Sequence, residues 1–149
     1  MPEVCSQNKR FLANLLGNTA NSYRILGDYK KAEELAFQSI AIKEALAKSS
    51  PLWNSLGIGY FNLGDIYLKQ GATDTAQKYF DKSEDIFNSS GSSIGKGSVS
   101  LAKAELAKKK GDLASARKYA ESARSIFAFA NLGLYENKAS EFLSKLAIN

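Results

Sequence analysis

The chain has 149 residues, 44% hydrophobic and 23% charged, the balance of a soluble globular domain or repeat array rather than of a disordered, collagen-like or membrane protein. It has no histidine and one cysteine, Cys5, which excludes Ser-His and Cys-His catalytic pairs, most transition-metal sites and any internal disulfide. The net charge of +5 is lopsided, because residues 91–149 hold 10 Lys/Arg against 5 Asp/Glu while residues 1–90 hold 10 of each.

The first segment, Met1–Arg10, is polar and lacks the apolar centre of a signal peptide. It is expected to fray, with Cys5 as an inert thiol. No apolar run approaches the roughly 20 residues of a membrane span, so a cytoplasmic protein is expected. A first helix is predicted over about 8–26 and a second over 29–48, separated by Gly27-Asp28. The glycine suits a left-handed helix stop and the aspartate a cap for the next helix. Pro51 is placed in the first turn of a third helix, over 52–70. A fourth is predicted over 73–89. The Ser- and Gly-rich stretch Asn88–Ser98 is read as a linker. The fifth and sixth helices are expected over 93–110 and 113–130, around Gly111-Asp112. A seventh, over 132–146 with Leu134, Tyr135, Phe142, Leu143 and Leu146, is expected to cap the array.

These elements repeat. Ala76-Gln77-Lys78-Tyr79 followed by Ile86-Phe87 recurs at one constant offset as Ala116-Arg117-Lys118-Tyr119 followed by Ile126-Phe127. Gly27, Gly71 and Gly111 each precede a small residue: Ala32, Ala76 and Ala116. The chain is therefore three copies of one helix–turn–helix unit. Within a helix, apolar residues recur at spacings of three and four, as in Tyr60, Leu63 and Tyr67.

The run Tyr60-Phe61-Asn62-Leu63-Gly64-Asp65-Ile66-Tyr67, then Gly71, Ala76 and Phe80, closely resembles the tetratricopeptide repeat. In the first copy Thr19-Ala20, and in the third Lys103-Ala104, replace Leu-Gly. Gly64 would let helices approach, Tyr67 would fill the gap below it, and Ala76 would mark the helix crossing. The resemblance implies an all-α right-handed superhelix of three hairpins plus a capping helix, one domain over 1–149. The units are longer than the usual repeat of this family, and long units are similar to those of spindle-orientation adaptors, kinesin light chains and bacterial signalling regulators. The run Leu132-Gly133-Leu134-Tyr135 resembles array ends in large bacterial transcription activators, so an excised fragment is one expectation.

No catalytic constellation emerges. Gly91–Ser98 imitates a phosphate-binding loop, but Ser90 and Gly97 stand where that motif needs glycine and Ser or Thr. Neither an enzyme nor a cofactor is expected. The resemblance instead implies that the first helix of each pair lines a concave groove. The groove face is expected to show Asn21 and Arg24 in the first copy. The second would offer Ile58, Phe61, Asn62, Asp65, Leu68 and Lys69, and the third Leu101, Glu105, Lys108 and Lys109. Packing of Ile58, Phe61 and Leu68 between helices is the alternative. A two-carboxylate clamp of the chaperone-binding kind is not expected, because Gly17, Ser98 and Ala102 stand where its cations would be.

A peptide or amphipathic helix with an acidic segment would suit this groove. The basic excess marks either such a site or a solvated helix face, and nucleic acid is not expected. A regulatory domain of a larger signalling or transcription protein and a secretion-type chaperone are the alternative functions. A homodimer through the terminal helix is a further expectation.

Overall fold

The computed structural model describes residues 1–47 and 53–148. Among them are seven α-helices and no strand: α1 (Pro2–Leu26), α2 (Tyr29–Ala47), α3 (Trp53–Gln70), α4 (Thr73–Ser90), α5 (Ser93–Lys109), α6 (Leu113–Phe129) and α7 (Gly133–Ile148). They pack in successive pairs, the arrangement the repeats predict. The expected role of Pro51 lies outside the described residues. No described helix is long and apolar enough to cross a membrane.

The turns between the helices share one backbone conformation. Gly27, Gly71, Gly91 and Gly111 all have φ between 73° and 83°, and Asn131 takes the same left-handed position at φ 57°. After α1, the Gly27 amide donates to the Arg24 carbonyl and the Asp28 amide to the Tyr23 carbonyl. The same pair of bonds closes α3, α5 and α6, at Gly71, Gly111 and Asn131. This is the Schellman stop, which needs a residue that tolerates positive φ. Asp28 and Asp112 then cap the next helices, accepting from the Lys31 and Ser115 amides.

Two expectations are corrected. Helix α1 begins at Pro2, not near residue 8, so Cys5 stands exposed on a helix and not in a frayed end. A proline in the first turn loses no backbone bond there. The stretch Asn88–Ser98 is not a linker. Helix α4 runs to Ser90, Gly91 stops it, and Ser92 caps α5 by accepting from the Gly95 amide at 3.1 Å. Its glycines serve packing, since Gly95 lies against the Phe87 ring and Gly97 against the Phe127 ring.

The chain forms two compact units, Met1–Ile86 and Phe87–Asn149. In the first, Ala20, Ala32 and Ala36 bring α1 and α2 together over a core that includes Ile40, Leu63 and Ile66. Phe80 is fully buried against Gly64, where an added Cβ would meet the ring at 2.7 Å. In the second, Phe127 fills the same role from α6 and packs on Tyr135 of α7 at 5.3 Å between ring centroids. Leu146 of α7 seals Ala107 and Ala116 with Tyr119 and Phe142 around them.

Candidate functional site

Within the first unit, α1 and α3 are tied twice. Arg24 Nη1 meets Asp65 Oδ2 at 2.6 Å, and Ser55 Oγ donates to Asn14 Oδ1 at 3.4 Å. Both ties span 41 residues. A constant offset means that the two helices run parallel, side by side. Arg24 also donates from Nε and Nη2 to Asn21 Oδ1 at 3.0 and 2.9 Å. Asn21, Arg24 and Asp65 therefore form one half-buried network that joins the two helices.

The remaining expected residues of α3 divide. Ile58 is 51% exposed and Lys69 is exposed, while Asn62 is half-buried. Phe61 is half-buried and tilts against Phe80 at 5.9 Å, so it serves the core as well as the surface. Leu68 is 3% exposed and belongs to the interior, which corrects its placement on the groove face. The equivalent positions hold Arg24, whose charge is met by Asp65 and Asn21, and Lys108, whose long stem carries its charge out to water. Leucine has no such head and stays inside.

In the second unit, Glu105, Lys108 and Lys109 line an open cleft of about 430 Å³ together with Phe142 of α7. Lys108 Nζ lies 5.8 Å from the centroid of the Phe142 ring, within cation–π range. All three α5 side chains are exposed. Leu101 instead leans on the buried cluster of Ala123, Phe127 and Ala139. The cleft joins charge to an apolar floor.

Two features escape the sequence pattern. Phe142 reads there only as part of the cap, although it stands to Ala102 as Gly111 stands to Gly71, in register with the α5 face. Lys43 draws no notice there, although it stands in register with Phe87 and Phe127. It is 5% exposed. Its Nζ donates to the Ser55 carbonyl at 3.3 Å, and burial pulls its pKa below the ordinary lysine value.

Behind the first groove face, α2, α3 and α4 share an aromatic ladder. Tyr67 stacks on Tyr79 at 5.6 Å and 4°, and Tyr60 on Tyr79 at 6.2 Å and 25°. The Tyr67 hydroxyl donates to Glu33 at 2.7 Å and the Tyr60 hydroxyl donates to Glu44. Burial foremost, and then these carboxylates, push both phenols above the ordinary tyrosine pKa. Tyr79 moves the same way, by burial and the two nearby carboxylates.

The profile of the tetratricopeptide repeat family matches residues 59–89, which cover most of α3 and nearly all of α4. No curated protein sequence matches the chain.

Proposed function

We propose that this chain, a tetratricopeptide-type helical repeat protein, is a non-enzymatic interaction module that holds a peptide or amphipathic helix against the exposed faces of its first-position helices. Repeats of this family generally mediate protein–protein contacts. The observation that carries the reading is the cleft of Glu105, Lys108, Lys109 and Phe142, which combines an apolar ring with cations at the mouth. Such a surface suits an extended or helical segment that presents an apolar side chain and a carboxylate.

In the first unit the exposed Ile58 and Lys69 offer a second, similar surface. The right-handed superhelix and the cytoplasmic setting belong to the same reading. A double substitution, Ile58→Glu with Lys108→Glu, tests it. Both side chains are exposed, so far-UV circular dichroism is expected to stay unchanged. Partner capture from the source lysate is expected to be lost. Undiminished capture by the folded double variant would contradict the groove reading. Ile58 is a cleaner choice than Phe61, because Phe61 also supports Phe80.

A further inference from the structure

Helix α1 is apolar on a side that nothing covers among the described residues. None of residues 1–12 is buried. The first buried residue is Ala13, whose carbonyl accepts from Ser39 of α2 at 2.7 Å. About three turns of helix therefore precede the packed part of α1. Met1, Val4, Phe11, Leu12 and Leu15 are between 46% and 97% exposed. Helical spacing gathers them, with Cys5 and Asn8, into one strip. Met1, Asn8 and Leu15 run along its centre, Val4 and Phe11 along one edge, and Cys5 and Leu12 along the other. Met1, Val4, Cys5, Asn8 and Leu12 line an open cavity of about 540 Å³.

The strip belongs neither to the core nor to the groove face. Ala13 and Ala20, the buried residues of α1, lie on the far side of the helix, and Asn21 and Arg24 turn toward α3. A helix that is apolar on two sides needs cover on both. The five apolar side chains leave roughly 500 Å² open, near the upper end of what a monomer shows. Two such strips packed together bury about 1,000 Å², where specific interfaces begin.

The strip is also complementary to itself. When it is turned end for end about Asn8, Met1 meets Leu15 of a second copy, Val4 meets Phe11, and Cys5 meets Leu12. The two Asn8 side chains then face and satisfy each other, and a single polar pair in an apolar helical seam fixes its register. The packed parts of the two copies, which begin at Ala13, are carried to opposite ends of the seam. One patch serves both copies, so the pair closes and does not grow into a filament. On α7, by contrast, Asn137, Ser140, Glu141, Ser144 and Lys145 line a polar open surface.

We infer that α1 is a self-association surface, through which two copies of this chain pair end for end over residues 1–15 with Asn8 at the twofold axis. Sedimentation velocity of the full chain between about 1 and 500 µM is expected to show monomer giving way to dimer, since an interface of this size supports micromolar or weaker association. Phe11→Glu and Leu15→Glu alter exposed side chains. Each is expected to keep the far-UV circular dichroism and to weaken the dimer at least about tenfold. Leu134→Glu on α7 is expected to leave the dimer intact. Orientation is read from disulfide trapping. Residues 5 and 12 of one helix lie about 10 Å apart along its axis, too far for an internal disulfide. Leu12→Cys is therefore expected to form covalent dimers at least about tenfold faster than wild type under mild oxidation. A monomer at every concentration overturns the inference, as does a dimer of wild-type strength in the folded Phe11→Glu and Leu15→Glu variants. Loss of the dimer in Leu134→Glu alone overturns it and moves the contact to α7. Equal trapping of wild type and Leu12→Cys overturns the end-for-end pairing.

Discussion

A lysine among packed helices carries a desolvation cost that a phenylalanine at the same register position does not. Lys43 meets that cost with one carbonyl, Ser55, at 3.3 Å. Because its pKa is lowered, the folded protein binds fewer protons than the unfolded chain between the lowered value and 10.5. Stability from this group therefore rises with pH across that window. Lys43→Met is expected to stabilise the protein at pH 7 by about 1–2 kcal/mol. The gap from wild type should narrow as pH approaches 10, as measured by urea unfolding at each pH. The tyrosine ladder acts in the opposite sense. Raised phenol pKa values give stability that is intact below about pH 10 and lost above it. Alkaline absorbance should show Tyr60 and Tyr67 ionising late, together with loss of helicity. Removing both hydroxyls, as Tyr60→Phe with Tyr67→Phe, should shrink that late step.

Two of the helical pairs seat an aromatic ring on a glycine of the facing helix. Phe80 sits on Gly64 and Phe127 on Gly97. A methyl group at either glycine has no room unless a buried ring moves. Gly64→Ala and Gly97→Ala are each expected to destabilise by about 1–3 kcal/mol in denaturant titrations. Gly111→Ala should cost less, about 1 kcal/mol, because nothing lies within 4 Å of the added carbon and only the positive φ opposes it. The contrast separates packing glycines from turn glycines. The turn class is legible in the sequence, since Gly27, Gly71 and Gly111 recur at similar intervals, each with a following small residue. So is Gly64, through the family pattern. Gly95 and Gly97 are not. They lie among serines, and composition alone gives a loop. Only the Phe87 and Phe127 rings, one from the preceding helix and one from the following, show why glycine is required there. The start of α1 is hidden for a related reason, because its polar first turns carry no apolar period.

Over the whole chain, the uneven charge acquires a structural address. Residues 87–90 carry no charge, so the neutral part coincides with the first unit and the entire +5 with the second. The repeats and the helix order are legible because they are local signals of period and turn chemistry. The groove is legible only in part. Register alone brings Lys108 and Lys109 to the surface, but it also places Leu68 there, and burial depends on neighbours that spacing does not reveal. Phe142 becomes visible as a groove residue only when α7 packs beside α5. The central claim is that partners lie along the first-position helices. Site-specific photo-crosslinking in the source cells tests it most directly, with a photoreactive side chain in place of Ile58, Lys69 or Lys108 and, as controls, of the exposed Lys30 on α2 and Lys118 on α6. Adducts from the first three positions and none from the two controls are the predicted result. Adducts from Lys30 and Lys118 as strong as those from Lys108 would contradict the account.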